Sequence, residues 1–567
     1  MKVIGIHDGH NATASLLVDG KIKWVIQEER IKHEKNFDGF PSGSIKKILE
    51  LEGVEPSEID AVVLNGKHQP KPMSRLERID AYKNLSGKKS GIKSTLKKVN
   101  KIADLYASLN NSHRLRHCEN LGFEKNKISF VNHHKAHAAT VYYANNNFDD
   151  DILVLTNDGS GDRVCATISI GRKGELDKIQ EVHEDHSIAL MYAMFTFLTG
   201  MVPLEHEYKI MGMAPYADMK GARKVADEFH SMFKVSDDGL TWEFIKGESI
   251  FQSKDFFENF MYLKRFDHLM AGLQVFVEEF LAAWVKAAIK HTGISKIALS
   301  GGIFMNVKAN QTIMNLPEVE EVFIFPSCGD ESNAIGVAYD YYARNGNFTK
   351  IEKLTDVYFG IELTNQEVKS AFDNYSFDSN YTVKYIEDIE DRCAEILAQG
   401  NVIARFKGRE EFGARSLGNR AILGNPSSPE VIKTINELIK NRDFWMPFAS
   451  SILDEDIDRY VHLNDKYESF YMIMTYDTKE EAKEIIGGIH PYDKTVRPQL
   501  VTKEQNESYW RLINNFKRLT GIGAVLNTSL NLHGLPLVYS PEDAFEVLEK
   551  SKLKYLAIEN YLITKVD

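Results

Sequence analysis

The chain has 567 residues, 43% hydrophobic and 26% charged, a make-up that suits a soluble globular protein of several domains and excludes fibrous and disordered classes. Cys118, Cys165, Cys328 and Cys393 are scattered without paired spacing, which excludes a disulfide framework and a cysteine zinc site and suits a reducing cytoplasm. The net charge is -12, so any basic segment stands out against the whole.

The N-terminus, Met1-Lys2-Val3-Ile4-Gly5-Ile6, lacks the basic, apolar and small-residue pattern of a signal peptide and reads as a strand running into a turn. Val3 to His7, Ala12 to Val18 and Ile22 to Gln27 read as three short strands joined by turns at Asp8-Gly9 and Asp19-Gly20. Lys67 to Lys101 then gathers Lys67, Lys71, Arg75, Arg78, Lys83, Lys88, Lys89, Lys93, Lys97, Lys98 and Lys101 against Glu77 and Asp80. It reads as a solvated helical insertion over about 67–125, with a patch that steers a phosphorylated or polynucleotide substrate as the sharper alternative.

Val131 to Thr140 follows, and if Asn132 opens a helix, His133 and His137 stand one turn apart on one face. Two imidazoles at that spacing can meet one metal ion, and Asp158 and Asp330, each placed just after a predicted strand end, are the candidate oxygen ligands. Ile152 to Thr156, a turn at Asp158-Gly159, Val164 to Ile170, a turn at Gly171 to Gly174, and Leu176 to Val182 repeat the N-terminal strand pattern. Such a duplicated unit resembles the actin and sugar-kinase superfamily, in which two halves face each other across a nucleotide cleft. The uncharged run from Ser187 to Leu204 contains Ser, Thr, Gly and Pro and reads as a buried helix with its exit turn rather than a membrane span. In Glu205 to Tyr216, Lys209 sits in a glycine- and proline-bounded loop from which it can reach a phosphate. Leu269 to Lys290 is an amphipathic helix closed by Gly293, and a strand from Lys296 to Leu299 runs into Ser300-Gly301-Gly302. Strand, glycine pair and helix start make up phosphate-binding grammar. Val322 to Phe325 is a further strand, leading to Asp330.

Several segments carry a more specific resemblance in order. Asp8-Gly9-His10-Asn11-Ala12, His133 to Ala139, Asp158-Gly159-Ser160-Gly161-Asp162, Tyr208 to Tyr216, and Gly301-Gly302 to Asn306 resemble the O-carbamoyltransferases of the nodulation-protein-U type, a family that includes antibiotic carbamoyltransferases. Beyond a helical linker near Asn365 to Phe372, the glycine- and arginine-rich block Val402 to Arg420 resembles the family's YrdC-like domain, where arginine forks suit phosphate oxygens. Lys440 to Ala449, Arg497 and Leu526 to Asn531 follow in family order. Ala414, Met446, Ser450 and Leu535 depart from the family pattern, as does Glu331-Ser332-Asn333 after Asp330.

The resemblance implies an α/β protein with a duplicated actin-like (sugar-kinase-like) domain over 1–355 and a YrdC-like α/β domain over 356–567. It implies His133, His137, Asp158 and Asp330 as ligands of a divalent metal, Fe(II) first, with zinc or manganese as alternatives. ATP and carbamoyl phosphate would be co-substrates, magnesium accompanying ATP. The C-terminal domain would make carbamoyl adenylate with Arg415, Lys440, Arg442 and Arg497 against phosphate charge, and with Asn527 and Ser529 in the same binding set. Lys209, Gly301, Gly302 and Asn306 would hold the adenylate in the N-terminal domain, where Asp8 or His10 takes the proton of an acceptor hydroxyl. The acceptor is a small molecule such as a sugar, an antibiotic-like metabolite or a hydroxymethylated nucleobase, with a nucleotide or nucleic-acid acceptor left open by the basic segment. The expected setting is cytoplasmic, without a membrane, and with a homodimer as an option. An actin-like kinase or ATPase, and an ATP-gated binding module, are the alternatives from other classes; a kinase needs neither the paired histidines nor the cationic C-terminal block, and the binding module predicts no acceptor-dependent AMP release.

Overall fold

A computed structural model describes residues 1–68, 72–85, 111–378, 380–436, 443, 445–467 and 470–566. Two compact units emerge: Met1–Glu29 with Asn36–Leu354, and Arg30–Lys35 with Thr355–Asp567.

In the first unit, β1 (Lys2–His7), β2 (Thr13–Val18), β3 (Lys21–Gln27), β4 (Ala61–Asn65) and β5 (Ile128–Val131) form a sheet of order β3-β2-β1-β4-β5. β1, β2 and β3 pair antiparallel, whereas β1, β4 and β5 run parallel. The pattern returns with β6 (Ile152–Gly161), β7 (Val164–Arg172) and β8 (Glu175–His183). After a ribbon of β9 (Phe233–Val235) and β10 (Trp242–Phe244), β11 (Lys296–Ser300) and β12 (Glu321–Ile324) complete the order β12-β11-β6-β7-β8. The strand senses match those of the first sheet, so the duplication expected from the strand pattern is present in the fold. Central strands read as continuous apolar runs because both faces are covered, as in the fully buried Ala61–Asn65, while the edge strand β8 is mostly exposed.

The helices Asn333–Asn345 and His133–Asn145 pack on these sheets and on one another. They cross at Gly336, where a Cβ would stand 2.0 Å from the Ala136 carbonyl oxygen and 2.3 Å from Thr140 Oγ1; only a glycine allows that approach. Asn132 caps His133–Asn145 by accepting from the Lys135 N–H at 3.2 Å, as its sequence position predicts. The helix Phe266–Thr292 is long and apolar enough to cross a membrane by length and composition, but 72% of its most apolar window is buried among Met219–His230, Val307–Met314 and other neighbours. It ends at Gly293 with φ 73°, the left-handed cap its sequence predicts.

Asp19 and Gly20 both take positive φ, as a primed hairpin turn requires. The turn expected at Asp158-Gly159 is not there. β6 runs on to Gly161 through an irregularity between Asn157 and Gly161, and the chain reverses at Asp162 and Arg163, both at positive φ. Asp158 thus sits within a strand rather than after its end.

The second unit holds β13 (Tyr381–Tyr385), β14 (Ile403–Phe406), β15 (Arg420–Gly424), β16 (Ala449–Leu453), β19 (Gln499–Val501), β20 (Ala524–Ser529), β21 (Tyr555–Ile558) and β22 (Tyr561–Lys565), in the mixed order β13-β22-β21-β14-β15-β20-β16-β19; β17 (Tyr476–Asp477) and β18 (Thr495–Val496) pair separately. Alternation along these strands builds two cores. Ala404, Phe406 and Ile422 meet Val368 and Phe545 on one face, while Ile403, Ala421 and Leu423 meet Ile389 and Leu512 on the other. None of the four cysteines forms a disulfide, and all are buried.

Candidate functional site

In the first unit, His133, His137, Asp158 and Asp330 each offer one ligand atom, and these atoms lie within 4.8 Å of one another. The helix start brings the two imidazoles together, with ring centroids 4.8 Å apart. β6 delivers Asp158, and the turn after β12 delivers Asp330. His133 Nε2 lies 3.2 Å from Asp330 Oδ1 and 3.6 Å from Asp158 Oδ2, and His137 Nε2 lies 3.2 Å from Asp330 Oδ1. Despite those neighbours, His133 Nε2 is buried with no hydrogen-bond partner in proper geometry. It points into the space the carboxylates share. Two imidazoles and two carboxylates, one of them holding an orphaned nitrogen opposite, fit a divalent first-row ion.

The supporting contacts orient the set. Gly302 donates its N–H to Asp158 Oδ1 at 2.7 Å, Ser300 Oγ stands 3.4 Å from His137 Nδ1, and Asn65 Nδ2 stands 3.2 Å from His133 Nδ1. Asp162 gathers the backbone N–H groups of Lys67, His68 and His133 and the Asn132 amide, fixing the start of the helix. Burial disfavours charge on His133, yet the carboxylates of Asp330 and Asp158 hold its pKa up at about 10. Burial likewise opposes ionisation of Asp330, but His133 and His137 keep it well below the usual carboxylate range.

Around this centre the other sequence candidates divide. Asp8 is held bidentate by Arg114, Nε to Oδ2 at 2.6 Å and Nη2 to Oδ1 at 2.7 Å, and both side chains are buried. That engagement leaves Asp8 poorly suited as a base. His10 is free of such a lock: its Nε2 is buried without a hydrogen-bond partner, and burial, with the Arg78 guanidinium adding to it, lowers its pKa to about 3. It is therefore neutral near pH 7. Gly301, at φ 105°, donates its N–H to the Cys328 carbonyl, and Gly302 donates to Asp158. The glycine pair thus cradles the metal-ligand candidates, its N–H groups already engaged, instead of presenting bare donors to an anion. A Cβ on Gly301 would stand 2.2 Å from the Asn157 carbonyl oxygen, and one on Gly302 2.7 Å from Asp158 Oδ1. Asn306 caps Val307–Met314 and exchanges two amide hydrogen bonds with Gln274, both 2.9 Å, a structural role. Lys209 is half-buried in the helix Glu207–Met213.

In the second unit, most arginines of the 402–420 block build the loop itself. Arg405 donates to the Gly418 carbonyl, Asn419 and Ser508, Arg409 to the carbonyls of Phe359 and Gly360, and Arg420 to those of Lys407, Gly408 and Ile361 while stacking on Phe406. Arg415 and Arg497 remain half-buried and partly open to solvent. Asn527 donates to the Ser416 carbonyl and Ser451 Oγ, and Ser529 Oγ donates to Asn531. Lys440 and Arg442 lie outside the described residues. So does most of the basic segment. Of its described members, Arg75 pairs with Glu205 at 2.9 Å and Arg78 is buried rather than solvated. Arg114 and Asn65 carried no local sequence signal, since each acquires its partners from elements distant in the chain.

Residues 2–339 match the family model "Carbamoyltransferase N-terminus", and residues 394–565 match "Carbamoyltransferase C-terminus". The chain belongs to the carbamoyltransferase family. As a carbamoyltransferase it is a transferase enzyme, and the kinase and binding-module alternatives fall away. It is similar to an uncharacterized protein of Synechocystis sp., 29% identical over 98% of this chain and 95% of the relative. It is also similar to nodulation protein NolNO of Sinorhizobium fredii, 28% identical over 98% of this chain and 79% of the relative. A 3'-hydroxymethylcephem-O-carbamoyltransferase of Amycolatopsis lactamdurans is 28% identical over 42% of this carbamoyltransferase and 43% of the relative.

Proposed function

We propose that this carbamoyltransferase is ATP-dependent and works in two stages, with the first unit an actin-like domain and the second a YrdC-like one. The observation that carries the reading is the convergence of His133, His137, Asp158 and Asp330 in a chain of this family. In the second unit, water cleaves carbamoyl phosphate to carbamate and phosphate. Carbamate oxygen then attacks the α-phosphorus of ATP, pyrophosphate leaves, and carbamoyl adenylate forms. Arg415 and Arg497 face the phosphate charge, and the engaged arginines Arg405, Arg409 and Arg420 hold the loop that carries Arg415.

In the first unit the acceptor hydroxyl attacks the carbamoyl carbon, the carbon–oxygen bond to AMP breaks, and the carbamate ester and AMP are the products. A divalent ion held by the four ligands supplies Lewis-acid polarisation and orientation there. His10, neutral and unpartnered at Nε2, takes the hydroxyl proton, a role for which Asp8 is less apt while Arg114 holds it. Lys209 supports the adenylate phosphate, while the glycine pair, its N–H groups spent on Cys328 and Asp158, holds the metal-ligand candidates in place.

The test is to supply the metal-loaded protein with ATP and carbamoyl phosphate, without acceptor, and to look for pyrophosphate and carbamoyl adenylate by mass spectrometry. Both are expected. Neither product from folded, nucleotide-binding protein would sink the reading.

A further inference from the structure

Arg78, on the helix Arg75–Lys83, is only 4% exposed, and its Nε and Nη1 are shut off from solvent with no hydrogen-bond partner among the described residues. The arginines near it are matched: Arg75 pairs with Glu205 and Arg114 with Asp8. Arg78 forms no ion pair among the described residues. The Asp38 carboxylate feels its charge but makes no ion-pair contact with it, and a buried guanidinium whose donors are unmet is strongly disfavoured, so its retention calls for an anion.

The surroundings tie the unmatched guanidinium to the reactive centre. Asp38 accepts from the Met73 N–H at 3.2 Å, which fixes the entry of the Arg78 helix, and Asp38 also bridges by backbone to His10. The loop around Asp38 lies on the loop after β1, with Gly39 N–H to the Gly9 carbonyl and Ala12 N–H to the Phe37 carbonyl. That second loop in turn reaches the metal-ligand candidates, because His7 Nε2 donates to the His10 carbonyl and lies 3.9 Å from Asp330 Oδ2. Two more buried atoms on it lack partners, His10 Nε2 and Asn11 Oδ1. The Arg78 charge is felt there, since it lowers His10 and draws Asp38 down against burial. The adenylate-binding candidates Gly301 and Gly302 follow β11 of the other sheet, whereas Arg78 stands on the side of the proposed base.

We propose that Arg78, on the side of the loop that carries His10, forms an acceptor subsite that takes an oxyanion, a phosphate or a carboxylate, carried by the molecule whose hydroxyl is carbamoylated. Calling the ligand an acceptor rests on the function proposed above; the binding of an oxyanion at Arg78 does not.

The experiment is calorimetric titration of the full chain, supplied with manganese, with glycerol 3-phosphate, glycerate and glycerol, for wild type, Arg78→Met, Arg78→Lys and Arg415→Met. Wild type should bind one of the two anions at least tenfold more tightly than glycerol, and the tighter anion identifies its source. Arg78→Met should lose that preference, Arg78→Lys should keep part of it, and Arg415→Met should keep it in full, which separates this site from anion binding in the second unit. Wild-type affinity for both anions no greater than for glycerol overturns the proposal, as does an unchanged preference in Arg78→Met; the charge-keeping Arg78→Lys decides if Arg78→Met does not fold. Wild-type pyrophosphate release, measured in parallel, decides the function reading separately.

Discussion

Without an ion, His133 keeps a proton between two carboxylates; with one, it must give that proton up. Its pKa is held at about 10, so across neutral pH each ion bound releases a proton, and affinity should rise about tenfold per pH unit between roughly pH 6 and 8. Titrating the metal-free protein with manganese at several pH values in weak buffer, and reading proton release, checks this; affinity flat with pH would refute it. The stability effect of the metal-free state has the opposite sign. A raised histidine pKa stabilises fully below the ordinary value near about 6.5, and the gain fades as pH climbs towards 10. Asn65, set between the His7 and His133 rings, orients the ligand, and Asn65→Leu should weaken metal binding about 10- to 100-fold without removing a ligand. The histidine pair was legible in sequence because its spacing is local. Asn65 was not, because only the parallel pairing of β4 with β5 brings it to the ring.

At the scale of elements, the helix His133–Asn145 depends on a single carboxylate that receives three backbone donors. Asp162→Ala should cost about 1–2 kcal/mol in denaturant unfolding and lower metal occupancy as the helix start frays; full occupancy with lost stability would separate the two roles. Arg114→Met would strand the buried Asp8 carboxylate and should cost about 3–5 kcal/mol, read the same way. Element-level reading from sequence succeeded where a pair of residues decides the outcome, as at Asp19-Gly20. It misplaced the turn after β6, because Asp158-Gly159 has the same local preference while β6 runs past it through a register shift against β7 and reverses only at Asp162 and Arg163. The error mattered little to the site, since Asp158 still reaches the histidines, but for a different reason: the strand slips its register beside it.

For the molecule as a whole, the two stages should come apart by mutation. Asp330→Asn should keep pyrophosphate release and lose carbamoyl transfer, whereas Arg415→Ala should lose pyrophosphate release and keep metal binding. Assays of both half-reactions on both variants check it, and coupled loss in either would refute a division of labour. The paired sheets were visible in sequence as a repeat of short strands, but the second unit was misjudged in one respect. Its arginine-rich block looked like a phosphate cradle, and most of those guanidinium groups instead brace the loop, because a chain turning through so many glycines leaves carbonyls that need donors. The buried cysteines have a practical consequence. Burial pushes the Cys118 and Cys393 thiols up to about 12 and raises Cys165 as well, so a thiol reagent should leave the native fold untouched. Cys118, Cys165 and Cys328 belong to the first unit and Cys393 to the second. Timed labelling, read by mass, therefore makes the sulfur atoms clocks that record which half of the enzyme opens first.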